Sequence, residues 1–148
     1  MKKLSVILLF LLPTLAAFMF NGCKYEDGPA LSFKSRKERV ANTWQLDKYL
    51  VNGVDNTLNY NTLYSTARWT FNKNGGLMYS YVLPDTIITA VGNWEFTSND
   101  DAINLRFINL LDTIKQTVTI LKLKEKELWF KYTDTTQVTY ETHLGTAN

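Results

Sequence analysis

The chain has 148 residues, 16 of them basic and 14 acidic, with a single cysteine and a single histidine. One cysteine cannot form a disulfide within the chain, and His143 without a second histidine or a thiolate leaves a transition-metal site short of its usual ligands, so no metal or other cofactor is expected. A charge this balanced gives no electrostatic case for nucleic acid.

Met1, Lys2 and Lys3 precede 17 uncharged residues from Leu4 to Phe20, followed by Phe20-Asn21-Gly22-Cys23. The run is shorter than the roughly 20 residues that span a bilayer and is broken by Pro13, so it reads as a signal peptide rather than a permanent transmembrane helix. Gly22 supplies the small residue that signal peptidase II requires before a cysteine whose thiol becomes acylated. Residues 1–22 are therefore expected to be removed, and the chain tethered to a membrane through lipid on Cys23. Losing Lys2 and Lys3 leaves 14 basic against 14 acidic residues in a mature chain of 126, long enough for one domain with its own core.

Residues 23–34 read as a tether, interrupted by Gly28 and Pro29, with Lys24, Glu26 and Asp27 close behind the lipid. In this it resembles the small lipoproteins of Bacteroidota envelopes, where a lysine and acidic residues after the cysteine act as a surface-export signal. The resemblance implies an outer-membrane lipoprotein displayed through Lys24, Glu26 and Asp27. The plainer role of these charges is to keep a linker solvated, and the basic cluster Lys34, Arg36, Lys37, Arg39 reads as a solvated face near the membrane.

The domain is expected over residues 35–148. Ser35-Arg36-Lys37-Glu38 fits a capping box and predicts one short helix from Arg36 to Ala41. Beyond Asn42 the apolar residues alternate with period two between turn signals, which predicts an all-β meander. Eight strands are expected: 43–51, 67–71, 77–83, 87–96, 102–107, 113–123, 127–133 and 138–143. Tight hairpins are signalled at 72–76, 98–101 and 124–126. Eight consecutive antiparallel strands close naturally into an up-and-down barrel, which removes the sheet edges.

Parity places Trp44, Leu46, Leu50, Trp69, Phe71, Leu77, Tyr79, Tyr81, Leu83, Ile88, Ala90, Trp94, Phe96, Ile103, Leu105, Phe107, Ile114, Val118, Ile120, Leu128, Phe130, Tyr132, Val138 and Tyr140 inside. Leu121 and Leu123 fall on the opposite parity from Ile120, so a bulge near Ile120 or an outer apolar patch is expected. So many large side chains should fill a narrow barrel. Lys48, Tyr79, Tyr81 and Gln116 are the polar residues on the inward parity. Lys48 inside would want a carboxylate or phosphate partner, whereas at the barrel mouth it would simply reach water.

The helix leading into a first-strand tryptophan (Lys37-Glu38-Arg39-Val40-Ala41-Asn42-Thr43-Trp44), followed by Asn52-Gly53-Val54-Asp55, Gly92-Asn93-Trp94-Glu95-Phe96 and Leu128-Trp129-Phe130, resembles the lipocalin-like domains of Bacteroidota cell-envelope lipoproteins. That family implies an eight-stranded lipocalin-like barrel whose open end and long first loop bind a small hydrophobic or amphipathic ligand. Here the loop runs from Asn52 to Thr66. Tyr60 and Tyr64 within it suit a lid over such a ligand, and equally suit a loop pinned by packing. An alternative is a non-enzymatic structural or protein-interaction lipoprotein, an accessory subunit or inhibitor with an envelope protein partner, whose packed barrel only presents loops and outer aromatics such as Trp129 or Tyr49. No catalytic residues are expected: no phosphate loop or nucleophile elbow is present, and Asp100-Asp101 sits in a turn where aspartate is favoured for backbone reasons.

Overall fold

The computed structural model describes residues 33–108 and 113–147. The expected signal peptide, Cys23 and Lys24, Glu26 and Asp27 of the expected export signal lie outside the described residues. The elements in chain order are α1 (Arg36–Val40), β1 (Thr43–Val51), β2 (Val54–Asp55), α2 (Thr57–Tyr64), β3 (Arg68–Phe71), β4 (Gly76–Leu83), β5 (Thr86–Phe96), β6 (Ala102–Ile108), β7 (Thr113–Leu123), β8 (Glu127–Thr133) and β9 (Thr139–Thr146). Each strand from β3 to β9 pairs antiparallel with the next, and β9 returns to pair with β1, closing an eight-stranded up-and-down barrel. β2 is a two-residue return along the end of β1 rather than a stave.

The capping box expected at Ser35 forms. The Ser35 amide donates to Glu38 Oε2 at 2.9 Å and the Glu38 amide to Ser35 Oγ at 3.2 Å. Three contacts tie α1 and the residues leading into it to the hairpins at one end of the barrel. Lys73 Nζ lies 2.6 Å from Glu38, Asp100 Oδ2 lies 3.4 Å from Arg36, and Glu125 Oε1 lies 3.5 Å from Lys34. Beneath the helix Val40 and Trp44 are fully buried, and the Trp44 indole N–H donates to the Val40 carbonyl at 2.9 Å. α1 therefore plugs this end. The closed half is filled by Phe71, Leu77, Trp94, Ile103, Leu123, Leu128 and Leu144, with Phe71 and Trp94 in edge-to-face contact. Fully burying a large apolar side chain stabilises by about 1.5–3 kcal/mol, so this plugged half carries the bulk of the hydrophobic free energy.

Two bulges set which side chains face inward. The one anticipated near Ile120 falls between Ile120 and Lys122, so Ile120 and Leu123 both point inside. The second, between Leu46 and Lys48, inverts the parity of the rest of β1. Asp47 is the extra residue, and its carboxylate occupies the space that a side chain at Gly145 would fill. Lys48 and Leu50, expected inside, therefore face outward, while Tyr49, expected on the outer surface, faces inward opposite Thr142. β9 extends to Thr146 because barrel closure draws Leu144 and Thr146 into register with Leu46 and Trp44. Val138 belongs to the preceding turn.

The first loop is not a coil. β1 and β3 are paired only at Thr43–Trp44, and beyond that β2 and α2 take over that side of β1. The Tyr49 amide donates to Thr57 Oγ1 at 2.9 Å, and the Asn56 amide donates to the Tyr49 carbonyl at 2.8 Å, so the start of α2 satisfies the strand edge.

Candidate functional site

At the end opposite α1 the interior opens. Two adjoining hollows of about 260 Å³ and 440 Å³ share Trp69, Phe107 and Ile114 in their walls. The first adds Tyr49, Tyr60, Gln116, Val118, Phe130, Tyr132 and Thr142; the second adds Tyr79, Ile88, Thr89 and Ala90. Among the described residues neither wall contains a charged side chain. The expectation of a filled barrel holds for the closed half only, because β5 presents the small Ala90 to the larger hollow, where bulk would be needed to fill it.

Tyrosine dominates the opening. Of the eight tyrosines, Tyr49, Tyr60, Tyr64, Tyr79, Tyr81, Tyr132 and Tyr140 all gather here. Their rings form a connected chain: Tyr140 stacks on Tyr132 at 5.0 Å and on Tyr49 at 6.3 Å, and Tyr49 meets Tyr60 at 5.0 Å. Tyr60 touches Tyr64 at 5.1 Å, Tyr64 meets Tyr81 edge-on at 5.0 Å, and Tyr79 packs on Trp69 at 4.5 Å. The Tyr60 and Tyr79 hydroxyls are hydrogen-bonded at 3.1 Å, joining α2 to the barrel wall. One helical turn apart on α2, Tyr60 and Tyr64 both face the opening, while Leu58 and Leu63 face solvent.

The electrostatics of this lining are those of neutral phenols. Burial pushes the Tyr49 phenol up to about 12, with the neighbouring phenols of Tyr132, Tyr140 and Tyr60 adding to the shift. Burial likewise raises Tyr60, Tyr79 and Tyr132. The Trp69 indole N–H is buried without a hydrogen-bond acceptor in good geometry, although it lies near enough to the Tyr60 hydroxyl to oppose part of that upward shift. At the rim, the Tyr140 hydroxyl donates to Asp134 Oδ2 at 3.2 Å. The Asp134 carboxyl is held below its ordinary range by the Thr136 hydroxyl first, then by the Val138 amide.

Among the residues singled out from sequence, Tyr60, Tyr64, Tyr79, Tyr81 and Gln116 are brought together at this opening. Gln116 Nε2 donates to the neighbouring Thr117 carbonyl at 3.1 Å while the side chain lines the smaller hollow. Lys48 is not among them. Placed outside by the Asp47 bulge, its ammonium lies 3.7 Å from Asp55 Oδ2. Sequence reasoning assigned Trp69, Phe107, Ile114 and Tyr132 to the interior without making them site residues. It missed Tyr49, whose position depends on a bulge that alternation cannot show, and Thr142, whose parity matched that of Tyr140.

Other features lie outside the barrel. Glu95, Asn104, Arg106, Lys115 and Thr117 border an outer-wall hollow of about 430 Å³. On another stretch of wall, Trp129 stacks on His143 at 3.9 Å and carries Lys122 Nζ 3.8 Å over its ring, with Lys122 paired to Glu127 and His143 to Glu141. Both ring faces of Trp129 are thus occupied by its own chain. Among the described residues no group of three or more His, Cys, Asp or Glu is placed to hold a metal ion.

No protein-family model matches the chain, and no curated protein does. Among solved structures it is similar to insecticyanin from the tobacco hornworm Manduca sexta, with a TM-score of 0.56 and 12% sequence identity over 72% of this chain. The match spans 61% of the insecticyanin chain. At that identity the likeness is one of fold, and the fold is that of a lipocalin-like barrel.

Proposed function

We propose that the protein is a lipid-anchored envelope protein whose barrel binds a small hydrophobic or amphipathic molecule in its open half. The observation that carries this reading is the pair of uncharged, aromatic-walled hollows beneath α2. An apolar concavity with a few convergent polar groups is the usual form of a small-molecule site, and the Tyr60, Tyr79 and Gln116 side chains supply those groups here. The likeness to a lipocalin supports binding rather than catalysis.

The anchor follows from residues 1–23, and α1 gives it a direction. The chain enters the domain at the plugged end, so lipid on Cys23 would hold that end towards the membrane and turn the tyrosine-rich opening away from it. The resemblance to Bacteroidota lipoproteins supports the outer membrane as the one it is anchored to.

One observation favours a second reading, an accessory lipoprotein that docks a protein. Met78, Val91 and Ile108 stand side by side on the outside of β4, β5 and β6, with Val82 and Ile87 beyond them. All five are exposed, Ile87 to 67%.

Native mass spectrometry of the full-length protein extracted from its own membrane, with its N-terminal peptide analysed alongside, tests both. Acylated Cys23 with a reproducible extra mass lost on organic extraction is the expected result. A bare barrel across growth conditions argues for the docking reading, and an unmodified Cys23 removes the anchor.

A further inference from the structure

We infer that the molecule taken by the open half is an organic cation: a small amphipathic compound with an apolar body and an amine or quaternary ammonium head. The inference rests on the ligand-binding reading and specifies its chemistry. Two independent observations carry it.

The first is the wall. Aromatic rings are electron-rich on their faces and attract a cation there, and the smaller hollow is flanked by Tyr49, Tyr60, Tyr132 and Trp69. An anion entering the same space would shed its water and meet no countercharge among the described residues, since none of those lining either hollow is a lysine or arginine. The phenol hydroxyls are donors, but a phenol is neutral near pH 7 and burial moves these further from ionising, so they offer a carboxylate hydrogen bonds without charge.

The second is the rim. Three described connections surround the opening, at 52–66, 84–85 and 134–138, and each contains one aspartate (Asp55, Asp85, Asp134) and no lysine or arginine. Lys48 partly offsets Asp55, whereas Asp134 is held ionised by the donors of its own turn, with its second oxygen on Tyr140 at the cavity edge. At the plugged end, by contrast, Lys34, Arg36 and Lys73 are each paired with an acid. Asp85 and Asp134 therefore set negative charge beside the opening, which favours a positively charged head there.

The test compares three probes sharing a phenyl group on a four-carbon chain: phenylbutyl-trimethylammonium, phenylbutanol and phenylpentanoate. Each is titrated calorimetrically into the full-length chain at low salt. The expected result is that the ammonium binds about tenfold or more tightly than the other two, the order of a desolvated cation–ring interaction. The Asp85→Asn, Asp134→Asn double variant should narrow that preference. If the alcohol or the carboxylate binds as tightly as the ammonium, the cation inference is overturned and the binding reading stands. If none of the three binds, both fall. The comparison on the unsubstituted chain decides the matter even if the variant fails to fold.

Discussion

At the scale of single residues, Glu38 shows how one side chain joins local and tertiary structure. Its carboxylate closes the capping box of α1 and pairs with Lys73 across the barrel end. The Lys73 hydrogen bond first, and the Ser35 amide and hydroxyl next, hold the carboxyl at about 2 instead of 4.5. A folded-state pKa below the unfolded one means that this contribution is complete above about 4.5 and disappears as pH falls towards about 2, because over that interval the unfolded chain binds the extra proton. Glu38→Gln keeps an amide able to complete the box and loses the ion pair. Thermal melts should show wild type more stable than the variant at neutral pH, with the gap closing through that acid window. Parallel curves would mean that the carboxylate contributes nothing through its charge. The box was legible because its four residues are contiguous; its partner Lys73 is 35 positions away, and only the fold brings it there.

At the scale of elements, the limits of several strands were readable even where the ladder carries a bulge. β1, β7 and β8 have the limits that alternation and turn residues imply, since a half-buried strand writes its two faces into the sequence with period two. Alternation fails where a single inserted residue shifts it. Leu121 announced its bulge because Leu123 must be buried, but Asp47 announced nothing, since polar and aromatic residues flank it on both faces. α2 was hidden for a related reason: none of its residues is fully buried, so no apolar stripe marks it, and its only helical signal is the spacing of Tyr60 and Tyr64. Gly92 is a further device of this scale. A Cβ there would run into the Arg106 carbonyl on β6, which is backbone and cannot swing aside. Gly92→Ala should therefore cost about 1–3 kcal/mol, as overpacking does, and lower the chemical denaturation midpoint without changing the slope. A midpoint within error of wild type would show that β5 and β6 can part at that point without loss.

For the whole molecule, the barrel divides along its axis into a half that holds the fold together and a half free to vary. α1, the three hairpins it contacts and the packed aromatics make the first; α2, the tyrosines and the two hollows make the second. The closed topology was legible because consecutive strands of this number have one economical way to hide their edges. The hollows were not, because parity says which side chains point inward but not whether they meet in the middle. The division can be measured with a matched pair of truncations. Leu128 is fully buried beneath the plugged end, and Leu128→Ala should lose about 2–5 kcal/mol, the transfer term plus a cavity that its rigid neighbours cannot close. Ile114 lines both hollows and is 57% exposed, so Ile114→Ala removes contacts only on one side and should lose under about 1 kcal/mol while enlarging the space for a ligand. Urea unfolding of the two variants makes the comparison directly. Equal losses would mean that the open half is as tightly packed in solution as the closed one, leaving no room for a bound molecule.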